Sequence, residues 1–535
     1  MRNATPFARG LCLALAVSLT GCWAVGPDYH RPDLDAPAAW SQDKGTAGSA
    51  ANLEDTAWWK AFGDPVLDEL IARGLSGNLD IAQAKARVRQ ARADVKTSRA
   101  GLFPTIDVTG SSTSSGSGPV QKNSSSSSQS ASTTGSTSSG TSSSGSSGDA
   151  SSYSANTVFS AGFDATWELD FFGGNRRQLE SSKATLEASI EELRDARLTL
   201  IGDVATNYVA LRAYQEQLDI ARRSAEAEKQ NADVTRESYR LGLITAVDVA
   251  QAEGQAASTA ADIPTIESDI KQSIHRLGIL LGLPPETLLP TLSAPRPLNE
   301  LPAPLLATGL PSDLLARRPD VRQAERKLAA ASADIGVATA DLYPKFDLTA
   351  GLGLQGSMPS KIAGFSTWYW SAIPGVSWPL FDAGSARAAV EKKKGLYDEA
   401  LANYKAVFHT ALEDVENALA AYYAERDREQ RLLKSVAAYK EALDLANLRY
   451  SKGLTTFLTV LVDQATLYTA QTNLTKSRAN LRTDLVSLYK ALGGGWRVDT
   501  DQQQSAAQPD EAGATRVASE RSPGPKAPGT AATGL

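Results

Sequence analysis

The sequence predicts a mainly α chain with a membrane β part, built from two internal repeats that each hold a β-hairpin and long antiparallel coiled-coil helices. Three observations predict it. The chain is written twice, heptads run through proline-free stretches far longer than an ordinary helix, and short segments alternate strictly between apolar and polar residues.

The first residues read as an export signal. Met1-Arg2 and Arg9 precede the apolar Leu11-Cys12-Leu13-Ala14-Leu15-Ala16-Val17, and Leu19-Thr20-Gly21-Cys22 follows. A basic head, a short apolar core and small residues before a cut mark a secretory signal over 1–21, too short to span a bilayer. Leu-Thr-Gly-Cys resembles a lipobox, which implies that Cys22 becomes the lipid-bearing mature N-terminus. In the lipoproteins it resembles, an aspartate at the next position is the usual inner-membrane retention signal; Trp23 stands there instead, which favours the outer membrane.

Cys12 leaves with the signal, so Cys22 alone remains and neither a disulfide framework nor a thiolate metal site can form. The formal charge of -6 becomes more negative with the loss of Arg2 and Arg9, and no basic patch argues for nucleic acid. Beyond the signal no apolar run approaches the roughly 18 residues a membrane helix needs. Any bilayer crossing must therefore use strands.

The repeat emerges when the two halves are superposed. Leu102-Phe103-Pro104-Thr105-Ile106-Asp107 matches Leu342-Tyr343-Pro344-Lys345-Phe346-Asp347, an offset of 240. Trp167-Glu-Leu-Asp-Phe-Phe-Gly-Gly with Arg176 matches Trp378-Pro-Leu-Phe-Asp-Ala-Gly with Arg387, and Tyr239-Arg-Leu-Gly242 matches Tyr450-Ser-Lys-Gly453, an offset of 211. Each half thus runs helix, strand hairpin, long helix, tight glycine turn at Gly242 or Gly453, helix. The expected division is a lipidated extended segment over 22–62, a first repeat over 63–283, a Pro-rich linker over 284–310, a second repeat over 311–496 and a disordered tail over 497–535. A Ser/Gly-rich tract over 110–152, too polar to pack, reads as a solvated extracellular loop.

Between Arg176 and Leu241 there is no proline, and Ile190, Val204, Leu211, Leu218 and Ala225 fall on multiples of seven. A helix of that length spans about 100 Å. The second copy repeats the pattern with Leu401, Phe408, Val415 and Tyr422, then with Val460, Leu467, Leu474, Leu481 and Leu488 after its turn. Sustained heptads mean helices packed side by side along their length, either as a solid rod or as the wall of a hollow barrel.

The strand segments separate these readings. In Phe159 to Leu169 the odd positions are apolar and the even ones are Ser160, Gly162, Asp164, Thr166 and Glu168. Phe346, Leu348, Ala350, Leu352 and Leu354 form one face of the segment from Lys345, and Lys345, Asp347, Thr349, Gly351 and Gly353 the other. One face suits lipid and the other water, as in a porin-like strand. The aromatic cluster Trp368-Tyr369-Trp370, with Trp378 and Trp167, suits an interfacial girdle. Two strands from each repeat make four, and an open four-stranded sheet in lipid would leave two edges of unpaired N–H and C=O groups at several kcal/mol each. The sheet must close with copies of itself. Two copies give about eight strands and a filled interior, three give twelve and room for a water-filled lumen; the polar inward face argues for three.

Residues throughout the chain carry a family resemblance. Cys22-Trp-Ala-Val-Gly-Pro-Asp-Tyr-His-Arg-Pro32 is similar to the start of the lipoprotein branch of the outer-membrane efflux proteins, the TolC-like, NodT/OprM-type exit ducts of resistance-nodulation-division systems. The two Trp motifs above and Leu488-Tyr-Lys-Ala-Leu-Gly-Gly-Gly-Trp496 extend the resemblance to the end of the second repeat. It implies a homotrimer forming a 12-stranded β-barrel and a 12-helix α-barrel, lipid-anchored in the outer membrane with a long periplasmic extension. It also implies a tip shut at rest and opened by a periplasmic adaptor (membrane fusion) protein with its inner-membrane pump. Carried over by position, Asp248 and Tyr450 resemble the pair that holds the hairpin shut, and Leu458 the apolar ring at the constriction. The family's Leu-Asp-Ala-Gln becomes Leu461-Val462-Asp463-Gln464 here, so the gate aspartate is replaced by Val462, and Asp463 is turned by about 100°.

Enzymatic chemistry finds no support. His30, His275 and His409 lie far apart without metal spacing, so no metal or other cofactor is expected. Gly351-Leu-Gly353-Leu-Gln-Gly356 fits the dinucleotide pattern by letters but sits in an alternating strand with no helix after it. No phosphate-binding loop is present, so energy must come from a partner. The duct of a type I protein exporter shares this architecture, and the lipobox and the Gly-Pro-Asp-Tyr start favour the pump-associated branch over it; a heavy-metal efflux system stays an alternative, because the duct need not choose the substrate. Met358 is the sole methionine after the signal, which offers no soft-metal relay.

Overall fold

The computed structural model describes residues 24–35, 37, 39–41, 57–117, 154–296, 298, 317–358 and 367–494. Cys22, residues 118–153, most of the linker and the tail lie outside the described residues. The elements in order are α1 (Pro65–Gly77), α2 (Leu79–Ala100), β1 (Thr105–Ser117), β2 (Ser154–Leu169), α3 (Gly174–Arg240), α4 (Ala246–Leu280), α5 (Pro319–Ala340), β3 (Lys345–Gly356), β4 (Trp368–Ser377), α6 (Ser385–Ser451) and α7 (Phe457–Ala491). The duplication is exact in length for the helices: α2 and α5 have 22 residues each, α3 and α6 have 67, α4 and α7 have 35. Among the described residues no helix is long and apolar enough to cross a membrane.

The chain divides into two compact units. The first takes the chain up to His30, Arg92–Ala184 and Ala329–Asp398; the second takes Arg31–Ala91, Thr185–Leu328 and the chain from Glu399.

The first unit is built on one antiparallel sheet in the order β1-β2-β3-β4. Its register places apolar residues in rows. Val108 lies opposite Phe163, Phe163 opposite Leu352, and Leu352 opposite Trp370, and all four side chains are more than half exposed. The next row on the other face is polar: Asp107, Asp164, Gly351 and Ser371. In these rows the period-two alternation therefore survives as two chemically opposite faces. On the polar face Tyr369 covers Gly353, where a Cβ would meet its ring at 2.9 Å.

Here the structure corrects one expectation. The loop expected over 110–152 gives up its first eight residues to β1, whose Gly110–Ser117 pair with Ser154–Ala161. Serine and glycine on both faces hide the alternation, yet Ser111 bonds Ser160 at 2.8 Å and Ser114 bonds Thr157 at 2.9 Å across the strands. Cross-strand hydroxyl pairs supply what the apolar pattern does not.

The N-terminal segment docks on the same unit. Val25 N–H donates to the Phe172 carbonyl at 3.0 Å, while Arg177 donates to the Val25 carbonyl at 3.2 Å and to Asp28 at 2.7 Å. Gly26, at φ +95, lies so close to Gly336 of α5 that a Cβ would meet its Cα at 2.4 Å.

In the second unit the heptads supply much of the core: Val204, Leu211, Phe408, Val415, Val460, Leu481 and Leu488 are buried, while Ile190, Leu218, Ala225, Leu401 and Leu467 are half-buried. Burying each such side chain contributes roughly 1.5–3 kcal/mol. Trp58, Trp59, Phe62, Leu67 and Ile71 pack onto α3 and α4, and Trp58 stacks on Tyr489 at 4.9 Å. The ends of α4 and α7 are tied by equivalent residues with different chemistry. Asn78 donates to the Leu280 carbonyl at 2.9 Å; 240 residues later Arg318 donates to the Ala491 carbonyl at 3.2 Å and also pairs with Asp414 at 3.0 Å.

A candidate gate at the helical hairpins

Two tight turns reverse the long helices, and both use the same backbone device. Gly242 and Gly453 take φ of 73° and 71°, a left-handed conformation that costs glycine least. Gly242 N–H bonds the Tyr239 carbonyl and Leu243 N–H the Ser238 carbonyl; Gly453 and Leu454 do the same to Tyr450 and Arg449. These are paired Schellman stops, followed by a threonine at each next N-cap.

The starts of the return helices differ. At α4, Thr245 N–H and hydroxyl both donate to Asp248, at 2.9 and 2.7 Å, and Asp248 N–H returns to the Thr245 hydroxyl at 3.4 Å. This capping box holds the Asp248 carboxyl below its ordinary range, through the Thr245 hydroxyl first and its backbone N–H second. At α7, Thr456 makes no side-chain cap bond; the Thr459 N–H goes to the Thr456 carbonyl instead, and Thr459 offers no carboxylate to return a bond to the cap. Arg236 braces α3 to α4 by donating to Glu253 at 2.6 and 3.1 Å.

The residues singled out by resemblance are placed as follows. Within this chain no hydrogen bond joins Asp248 to Tyr450: the carboxylate serves its own helix, and the Tyr450 ring packs on Phe457 at 5.3 Å. That ring belongs to an apolar cluster of Ala232, Ala252, Ala446, Phe457, Val460 and Leu461, which binds the first hairpin to the second. Leu458 and Val462 are 47% and 54% exposed and line one cleft of about 700 Å³ with Leu461, Gln251, Gln255 and Tyr439. Asp463 is not among its lining residues. Leucine and valine one helical turn apart thus share a face from which the acid is turned away.

Sequence reasoning missed a polar seam below this cluster. Glu228 is fully buried and accepts from Ser224 and Gln255, each at 3.4 Å, while its Oε2 meets no donor among the described residues. Asn231 donates to Gln464 at 2.8 Å, and Tyr468 donates to Asp262 at 3.1 Å. Burial raises the Glu228 carboxyl above its ordinary value, against the lowering influence of the neighbouring Thr259, Gln255 and Ser224. The signal was present: Glu228 stands between heptad positions Ala225 and Ala232, at the second core position of its heptad. Among the described residues no group of three or more His, Cys, Asp or Glu is placed to hold a metal ion.

A sheet with one apolar exposed face, joined in sequence to duplicated heptad hairpins, defines a channel protein of the outer membrane. The model of the outer membrane efflux protein family matches residues 70–283 and 310–494, and the chain belongs to that family. It is a channel protein of the efflux machinery and not an enzyme. Among its relatives is the pyoverdine export outer membrane protein OpmQ of Pseudomonas putida, 35% identical over 497 residues, which are 92% of this chain and 98% of the relative. The toluene efflux pump outer membrane protein TtgC of Pseudomonas putida is 33% identical over 506 residues, 93% of this chain and 98% of that one. The solved outer-membrane channel OprN superposes with a TM-score of 0.78 at 34% identity, covering 88% of this chain and 99% of OprN.

Proposed function

We propose that three copies of this chain close their sheets into one barrel and serve as a passive exit duct, fed by an inner-membrane pump through a periplasmic adaptor. The open four-stranded sheet supports this reading above all. It has an apolar face exposed across every strand and two free edges that lipid cannot satisfy. Three copies make twelve strands, enough to leave a lumen lined by the Asp107, Asp164 and Thr349 face. Lipid on Cys22 would add a second membrane attachment to the barrel. The compounds carried are small organic molecules, by analogy with the relatives whose names specify pyoverdine and toluene.

The gate in this reading is mainly apolar. Leu458 and Val462 form the constriction, Asp463 stands off it, and Asp248 and Tyr450 hold the two turns in shape from their separate positions. Gly242 and Gly453 set the turns. Purified protein reconstituted in planar bilayers tests the duct: rare, brief openings of an oligomer are expected, and a monomer without conductance overturns it. Mass analysis of the mature N-terminus tests the anchor, which an unmodified start at a residue other than Cys22 would refute.

A further inference from the structure

We infer that the cleft beside the constriction binds an uncharged, mainly aromatic organic molecule that carries an O–H or N–H donor, a phenol for instance. The inference rests on the duct reading for its place in transport, and it narrows the small organic molecules of that reading to one chemical class.

The cleft is built on one face of α7. Leu458, Val462, Ala465 and Thr469 recur every three or four residues along its lining, so the face runs for about 16 Å along the helix. Gly254 of α4 and Tyr439 of α6 complete the walls. Gly254 and Ala465 are equivalent positions of the two repeats, offset by 211, and their small size keeps the cleft open: a Cβ placed on Gly254 would meet nothing within 4 Å. The volume of about 700 Å³ falls within the range of about 300–1,000 Å³ of sites that hold drug-sized molecules.

The lining selects against ions. All fourteen of its residues are uncharged, in a chain of which 21% of residues are charged. An ion bound here would leave water without meeting an opposite charge, which is costly. The hydrogen bonds at the cleft then set the polarity of the ligand. Thr466 and Thr469 donate their hydroxyls to the Val462 and Ala465 carbonyls of their own helix, at 2.7 and 2.9 Å, which leaves each oxygen as an acceptor. Gln255 Nε2 donates to Glu228 and to Thr259, each at 3.4 Å, which leaves its Oε1 as a third acceptor. Three acceptors call for a ligand that donates, and the apolar Leu458 and Val462 call for one that is otherwise hydrocarbon. These two are also the residues of the constriction, so a molecule held in the cleft lies against the gate itself.

Equilibrium dialysis of full-length oligomers in lipid nanodiscs at pH 7, with binding to empty nanodiscs subtracted, tests this with 1-naphthol, 1-methoxynaphthalene and 1-naphthoate. Saturable binding of 1-naphthol is expected, about ten-fold or more tighter than of the ether, which lacks the donor, or of the carboxylate, which is charged. Gly254→Leu and Ala465→Phe fill the cleft, and each should weaken 1-naphthol binding by about ten-fold or more. Thr466→Val with Thr469→Val removes two acceptors and should bring 1-naphthol down towards the level of the ether while leaving the ether unchanged, a split that a merely structural role would not produce. Equal binding by the parent and both filled variants overturns the site, and so does naphthoate bound as tightly as naphthol. Dissociated oligomers in both filled variants would mean that a second copy of the chain occupies the cleft, which overturns it as well. Absence of binding by oligomers that still conduct in planar bilayers refutes the site and leaves the duct standing. Monomers without conductance refute the duct, whether or not they bind 1-naphthol.

Discussion

Asn231 on α3 donates to Gln464 on α7 at 2.8 Å, a side-chain bond between the two repeats next to the apolar cluster of Phe457, Val460 and Leu461. The bond belongs to a seam with Glu228, Gln255 and Thr259. A polar layer in a heptad core fixes which residues lie side by side, at a cost in stability.

The largest cost in that layer is expected at Glu228. Its raised carboxyl pKa means that the folded chain binds protons more readily than the unfolded chain. Its contribution to stability therefore falls as pH rises through the folded pKa, and is greatest in acid. Glu228→Gln removes the buried charge and should raise unfolding stability at pH 7 by about 1 kcal/mol. Denaturant melts of both proteins across pH 4 to 8 check this, with the two curves converging at the acid end. A variant less stable than the parent at pH 7 would show that the charge has a partner.

Asp484 carries a second pH dependence in a more convenient range. Burial first, and then the neighbouring Glu425, push its carboxyl up to about 6. With the folded value above the unfolded one, stability is lost as pH rises from about 4 to about 6 and stays level above. Asp484→Asn should flatten that slope and add roughly 1 kcal/mol above pH 6, after allowance for its partial exposure. Thermal melts at pH 4.5 and 7 suffice; an unchanged slope would place the titration elsewhere.

Conductance tests the apolar gate. Leu458→Ala should widen the constriction and raise single-channel conductance several-fold. Asp463→Asn should change neither conductance nor block by di- or trivalent cations, because the acid does not line the cleft with Leu458 and Val462. Loss of cation block in Asp463→Asn would establish an acidic ring one residue later than the family's.

Gly336 tests the docking of the N-terminal segment. In a helix interior Gly→Ala ordinarily stabilises by about 1 kcal/mol. Here the new Cβ would meet Arg177 Cγ at 2.7 Å and the Val25 carbonyl at 3.0 Å. The expected sign therefore reverses, to a loss of about 1–3 kcal/mol, with faster proteolysis near Arg31. A stabilised Gly336→Ala would mean that the segment yields without cost.

Much of this protein was determined by local sequence alone. Heptads from Val204 to Leu218 and from Val460 to Leu488 specify helices and their buried faces, because a residue's side of a helix depends only on its place in the turn. Alternation from Phe159 to Leu169 specifies a two-faced strand by the same logic. Duplication located Gly242 and Gly453, since a left-handed turn selects glycine whatever surrounds it. Other features depended on tertiary structure. Gly110–Ser117 became strand through hydroxyl partners about 50 residues away in sequence. Whether Asp248 faces Tyr450 or Thr245 was decided by which donors lie within reach, and Thr245 lies three residues away on its own turn. Glu228 looks like any charged helix residue until Ser224, Gln255 and Thr259 enclose it. Periodicity shows which way a side chain points, but the free energy of a polar group depends on the partners that meet it there, and those are supplied by distant parts of the chain.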